Sequence, residues 1–310
     1  MPSAPPLFIV LNAASGSDDA RRAGEALSAR LEVSGRTHQL LRVSRPDELG
    51  AAIGRAVLAA REARGVVVAA GGDGTMNAVA QAAWNADLPM GVLPLGTFNY
   101  FARAHDIPVE PMAALAALLN ARVAEVPVGR VGERVFLVNA SVGLYPRLLE
   151  QREQAKRRFG RHRLVALLSG LGSLLGGRSV LTLELHHAGQ TRVARTRTLF
   201  VGNNRLQLCE LGLPEALAVG RGRLAAITLQ PLSMPRTLWL VLRGAVGRLD
   251  GAEGVDSFDF DHLVVRPRRA GRTIKVAVDG EVLRLPAPLV FETAPHPLRL
   301  LVPSGPRPAE

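Results

Sequence analysis

Aromatic side chains make up only 4% of this 310-residue sequence, and cysteine occurs once, at Cys209. One cysteine excludes an intramolecular disulfide and points to a reducing compartment. Few aromatics leave little for unstacked bases to rest on, and no zinc-finger spacing, basic zipper or ribonucleoprotein motif is present. Nucleic acid is therefore not an expected partner, although 38 Lys+Arg outnumber 27 Asp+Glu for a net charge of +11. That surplus favours nucleotides and anionic membrane surfaces instead. Long apolar runs are missing too: residues 164–177 and 238–246 are too short to span a bilayer, and Arg243 and Gly244 break the second. The start, Met1-Pro2-Ser3-Ala4-Pro5-Pro6, lacks a basic leader. A cytoplasmic protein with peripheral membrane association is the expectation.

Catalytic signatures are absent as well. There is no Gly-x-x-x-x-Gly-Lys-Ser/Thr loop, no protein-kinase catalytic loop and no serine-hydrolase elbow. The seven histidines show no zinc spacing, and the adjacent His186 and His187 fall on opposite faces of a strand. All seven read as structural or surface groups.

What is present is a 47% hydrophobic chain long enough for two domains. Its focus is Val66-Val67-Val68-Ala69-Ala70-Gly71-Gly72-Asp73-Gly74-Thr75-Met76-Asn77, an apolar strand joined to a helix by a glycine loop. Such a loop aims backbone N–H groups at a phosphate, and Thr75 is placed to cap the helix. Asp73 is the anomaly. A carboxylate beside a phosphate is repelled unless Mg²⁺ bridges them or the acid accepts a proton from the substrate.

Around this loop the pattern alternates. Residues 7–11, 39–43, 66–70 and 90–94 read as strands, and Ala23/Leu27/Leu31, Leu49/Ile53/Val57/Ala60, residues 76–84 and residues 112–119 read as helices. This is the grammar of a parallel sheet with right-handed crossovers, where ligands sit beyond the strand carboxyl ends. A second loop, Leu95-Gly96-Thr97-Phe98-Asn99, repeats the first, with glycine for close approach, a hydroxyl and an amide. Beyond residues 123–128 strands follow one another without regular helices: 135–139, 180–185, 197–201, 224–229 and 263–266. An antiparallel sandwich or barrel is predicted there, interrupted by helical insertions at 146–175 and 235–248.

Two features of this half stand out. Lys156, Arg157, Arg158, Arg161, His162 and Arg163 precede the apolar residues 164–175, a pattern that suits an anionic membrane or a solvated face followed by a core helix. In residues 273–283, Asp279-Gly280 is a hairpin turn between strand-like runs, and Glu281 adds a second acid of the kind that phosphoryl transfer uses.

Asn12-Ala13-Ala14-Ser15-Gly16, Gly71-Gly72-Asp73-Gly74-Thr75-Met76-Asn77, Pro94-Leu95-Gly96-Thr97-Phe98-Asn99 and Asp279-Gly280-Glu281 occur in an order that resembles the diacylglycerol kinase catalytic-domain family. That family includes bacterial lipid kinases and the sphingosine and ceramide kinases. The resemblance implies an α/β N-terminal domain with a Rossmann-like parallel sheet of the NAD-kinase and diacylglycerol-kinase type. It implies a C-terminal antiparallel β-sandwich and an ATP cleft between the two. The expected division is 1–125 for nucleotide, 126–293 for the lipid substrate, 294–303 as a strand returning to the first domain, and 304–310 as a disordered tail.

The resemblance further implies an ATP-dependent lipid kinase acting on a diacylglycerol-like or sphingoid hydroxyl, with Mg²⁺. Nucleotide contacts fall to Asn12, Ser15, Gly16, Ser44, Gly71, Gly72, Gly74, Thr75, Asn77, Gly96, Thr97 and Asn99. Asp279, Glu281 and Asp73 carry catalysis, with Asp279 or Asp73 as base and with Asp73 and Glu281 nearest the metal. The chain departs from the family pattern in three places: Ala78 replaces a common Glu, Ala13-Ala14 replaces Asn-Pro, and Gly220-Arg221-Gly222-Arg223-Leu224 replaces an Asp-Asp-Gly-Leu-like magnesium turn. Two rival functions remain at this stage: a kinase for a soluble hydroxyl such as that of NAD, and a non-catalytic nucleotide- or lipid-binding module.

Overall fold

The computed structural model describes residues 4–13, 18–143, 146, 180–268 and 272–305. The chain forms two compact units, Met1–Pro127 with Pro295–Glu310, and Val128–Ala294.

In the first unit β1 (Leu7–Asn12), β2 (His38–Val43), β3 (Val66–Gly71) and β4 (Met90–Pro94) are parallel, with Ile9 opposite both Leu40 and Val68. Helices α1 (Asp18–Val33), α2 (Leu49–Glu62), α3 (Asp73–Asn85), α4 (Tyr100–Ala104) and α5 (Pro111–Leu119) connect and cover them. Strands buried on both faces need unbroken apolar sequence, which Leu7-Phe8-Ile9-Val10-Leu11 and Val66-Val67-Val68 supply. Leu27 and Leu31, one turn apart on α1, pack with Leu7, Ile9, Leu11 and Leu115. Pro111 opens α5, and the Glu110 carboxylate accepts from the N–H groups of Met112 and Ala113 at 2.9 and 2.6 Å. The sheet does not stop at β4. The last strand, β18 (Leu298–Val302), pairs parallel with β4 at Leu300 and Met90, and it alone carries β5 (Arg122–Val126), antiparallel, giving the order β2-β1-β3-β4-β18-β5.

The second unit contains two antiparallel sheets. Its strands are β6 (Gly129–Val131), β7 (Arg134–Phe136), β8 (Asn139–Gly143), β9 (Leu181–His187), β10 (Gln190–Thr196), β11 (Thr198–Gly202), β12 (Leu224–Leu229), β13 (Val255–Phe260), β14 (His262–Pro267), β15 (Thr273–Val278), β16 (Glu281–Pro286) and β17 (Leu289–Thr293). Their orders are β10-β9-β14-β17-β6-β7 and β13-β12-β11-β8-β15-β16. Leu183, Leu185, Leu263, Val265 and Phe291 of one sheet meet Ala140, Val142, Leu199, Val201 and Val276 of the other in one core. Between strands lie α6 (Arg205–Glu210), α7 (Ala216–Val219) and α8 (Met234–Ala245). A chain with one α/β unit and one unit of antiparallel sheets is the expected fold class.

Several local expectations need correction. Helix α3 begins at Asp73 with Gly72 as its N-cap, so Thr75 lies inside the first turn and does not cap. The apolar run 135–139 is not one strand: β7 ends at Phe136 and β8 starts at Asn139, because the intervening N–H groups turn to the Asp279 carboxylate. Strands β10 and β13 went unread because each is the terminal strand of its sheet and carries many polar residues. The basic-then-apolar segment 156–175 lies outside the described residues, as do Ser15, Gly16 and residues 306–310. Among the described residues no helix is long and apolar enough to cross a membrane.

Candidate active site

The carboxyl ends of the parallel strands carry almost every polar group singled out in the first unit. Asn12 ends β1, Ser44 follows β2, Gly71 ends β3 and Leu95-Gly96 follows β4. The Asn12 amide donates to Thr75 Oγ1 at 2.8 Å, tying β1 to the first turn of α3. Thr75 and Asn77 are buried. The two glycine loops are held edge to edge: the Leu95 N–H donates to the Gly71 carbonyl at 2.9 Å, and a Cβ on Gly96 would stand 2.8 Å from the Gly72 Cα. A Cβ on Gly71 would stand 2.7 Å from Thr75 Oγ1. Glycine is needed at both places because there is no volume for a methyl.

Asn99 locks the second loop. Its backbone is left-handed, with φ of 49° and ψ of 39°, a conformation that asparagine tolerates better than most residues. Its side chain accepts from the Gly96 N–H at 3.2 Å and donates to the Gly96 carbonyl at 2.9 Å. Thr97 and Phe98 are exposed at the tip.

The anomalous acid has a structural partner. Asp73 Oδ2 accepts from the Asn99 N–H at 3.2 Å, so the carboxylate sits at the start of α4. Its other oxygen, Oδ1, is buried without a hydrogen-bond partner. Burial pushes the Asp73 pKa above the ordinary carboxylate value, partly offset by backbone N–H groups of Asn99, Tyr100, Asp73 itself and Phe101. An orphaned acidic oxygen among glycines is poised for a cation or a proton.

In the second unit Asp279 and Gly280 form the β15–β16 turn, both with positive φ (43° and 89°), the two-residue hairpin that Asp-Gly favours. The Asp279 carboxylate is heavily engaged. Oδ2 accepts from Leu137 N–H at 2.6 Å, and Oδ1 accepts from Val138 and Asn139 N–H at 2.9 Å each. It fixes the β7–β8 crossing. Glu281 is exposed and pairs with Arg134 at 2.8 Å.

Sequence reasoning missed the amides around this turn. Asn203, which follows β11, donates through its side chain to the Leu137 carbonyl at 3.2 Å and through its backbone to the Val138 carbonyl at 2.8 Å. The Asn139 amide donates to Gln207 Oε1 at 3.2 Å while its own carbonyl oxygen is buried and unpartnered. The signal was an Asn-Asn pair closing an apolar strand. At the place of the absent magnesium turn, Arg223 reaches Asp259 and Asp261 at 2.5 and 2.6 Å, so a guanidinium neutralises the two carboxylates there. Among the described residues no cluster of three His, Cys, Asp or Glu side chains is arranged to hold a metal.

Residues 6–131 match the diacylglycerol kinase catalytic domain. A "Probable lipid kinase YegS-like" protein of Pseudomonas fluorescens is 33% identical over 251 residues, covering 76% of this chain and 77% of that protein. A diacylglycerol kinase of Staphylococcus aureus is 33% identical over 137 residues, covering 44% of this chain and 42% of that one. The crystal structure of a diacylglycerol kinase from Bacillus anthracis superposes with a TM-score of 0.73 over 98% of this chain and 99% of that chain; at 15% identity the likeness is one of fold.

Proposed function

Because the chain belongs to the diacylglycerol kinase catalytic-domain family of lipid kinases, we propose that it transfers the γ-phosphate of ATP to the hydroxyl of a diacylglycerol-like or sphingoid lipid. The observation that carries this is the hydrogen-bonded pair of glycine loops at the sheet's carboxyl end, with the unpartnered Asp73 oxygen among them. Gly96 lets the two loops touch, Gly71 makes room for Thr75, Gly74 faces open space where phosphates could approach the backbone, and Gly72 caps α3 without a side chain in the way. Asn12 orients Thr75, and Asn99 holds Gly96. Thr97, Asn77 and Ser44, with Ser15 and Gly16, complete the proposed nucleotide contacts.

Asp73 is the proton acceptor in this proposal. Burial raises its pKa above the ordinary carboxylate value, and one oxygen is uncommitted. Asp279, whose oxygens serve three backbone N–H groups, is a positioning residue: it sets the β7–β8 loop and the amides of Asn139 and Asn203. Mg²⁺, when bound with the nucleotide, supplies neutralisation of phosphate charge. Phosphates and water would make up most of its shell, as Mg²⁺ commonly requires. Lipid acceptors place the protein at an anionic membrane surface on the cytoplasmic side.

The test is incubation of purified protein with labelled ATP, Mg²⁺ and separate acceptors: diacylglycerol, a sphingoid base, phosphatidylglycerol and NAD. Labelled lipid is expected. Label on NAD alone would make this a kinase of soluble acceptors. ATP binding without any labelled product would make it a binding module.

A further inference from the structure

Helix α8 (Met234–Ala245) presents an apolar face to solvent. Its buried positions include Thr237 and Leu240, whereas Leu238, Trp239 and Leu242 on the helix, and Val246 just after it, are 57%, 62%, 58% and 63% exposed. At the helical repeat these four residues, with Pro235, fall on one face about 100° wide. Elsewhere among the described residues large exposed apolar side chains are scattered along the sequence, which is ordinary. Here they form a stripe. Arg236 and Arg243, seven residues apart, lie along one edge of it, and Trp239 stands between that edge and the leucines. Arg236 pairs with Glu253 at 2.7 Å, Arg243 donates to the carbonyls of Arg248 and Asp250 at 2.7 and 3.1 Å, and Arg248 beyond the helix is exposed.

We propose that this face of α8 docks the protein on an anionic phospholipid bilayer, with Leu238, Leu242 and Val246 in the acyl region, Trp239 at the headgroup boundary and the arginines among the phosphates. Three properties favour a bilayer over a protein partner. An apolar stripe edged by cations is the pattern of helices that lie in the interface plane. Trp, with an apolar ring and one N–H donor, prefers the boundary between hydrocarbon and water. The net charge of +11 complements anionic lipid over a longer range. The proposal adds a surface that no kinase motif touches, and it holds whichever acceptor is phosphorylated.

The chain carries its own probe. It has two tryptophans; Trp84 is 9% exposed and donates its indole N–H to the His296 carbonyl at 2.9 Å, while Trp239 is in the open. Without nucleotide, the full chain is mixed with phosphatidylcholine vesicles or with phosphatidylcholine–phosphatidylglycerol vesicles carrying a doxyl-labelled lipid. Expected results are a blue shift and quenching that survive Trp84→Phe, vanish in Trp239→Phe, require the anionic lipid and weaken with salt. Leu238→Glu with Leu242→Glu, at exposed sites, should lower vesicle partition by at least about tenfold while circular dichroism is unchanged. Undiminished partition of that variant, or an unquenched Trp239, overturns the proposal. So does a loss of self-association in that variant with vesicle binding unaltered, which would assign the face to a second copy. Failure to phosphorylate any lipid would count against the kinase proposal alone, since vesicle partition is read without ATP.

Discussion

Asp73 and Asp279 each stand beside a glycine at the end of a buried strand, yet their carboxylates meet opposite surroundings. Asp279 gives its oxygens to three backbone N–H groups and knits two sheets at the β7–β8 crossing. Asp73 gives one oxygen to Asn99 and keeps the other buried and unpartnered. A saturated anion is structural in its energetics, because protonating it would forfeit three charge-assisted bonds. An under-used one is held at a cost that only a ligand or a proton relieves. Aspartate beside glycine is thus the same word in two sentences.

The sharpest way to break this contrast is Asp73→Asn. Turnover should fall by about 10²–10⁴-fold in a lipid phosphorylation assay, with secondary structure intact. Stability should move the other way. Because the native pKa is raised, the folded state binds the proton more readily than the unfolded chain, so wild-type stability is lost as pH rises through the native pKa. The melting temperature of the Asn variant should therefore exceed that of wild type at neutral pH, and the gap should close below the ordinary carboxylate range, about pH 4. A variant deficit cured by excess Mg²⁺ would recast Asp73 as a metal ligand.

Asp279→Ala should do the reverse, costing roughly 3 kcal/mol in denaturant unfolding because three N–H groups lose a charged acceptor. Asp279→Asn, which keeps an acceptor, should recover much of that stability and retain turnover; inactivity with full stability would return the role of base to Asp279. Next in size is Gly96→Ala. Its methyl would meet the Gly72 Cα and Asn99 Oδ1 at 2.8 and 2.9 Å, so about 1–3 kcal/mol of strain and a raised KM for ATP are expected. The smallest effect belongs to Arg223→Met. Its two ion pairs are partly exposed, so a loss under about 1 kcal/mol is expected, and chelators should leave the wild-type melting temperature unaltered.

Strands such as β1 and β3 were legible because burial on both faces demands unbroken apolar residues, and the glycine loops because close backbone approach leaves few alternatives to glycine. The hairpin at Asp279-Gly280 was legible as a turn for the same reason. The direction in which a side chain is spent was not legible. Thr75 looked like a cap and proved to accept from Asn12 across 63 positions of sequence. The run 135–139 looked like one strand and is divided by a carboxylate some 140 residues away. Partners of that kind leave no periodicity to read. Terminal strands β10 and β13 escaped because a sheet edge rewards polar residues.

The pairing of β18 between β4 and β5 has a consequence for biogenesis. A ribosome delivers β1 through β5 early, then all of residues 128–294, and only afterwards the five residues Leu298–Val302 that join β5 to the sheet. The first unit to be synthesised is therefore the last to close. Until then β4 presents an unpaired edge, an opening for a chaperone or for a neighbouring nascent chain.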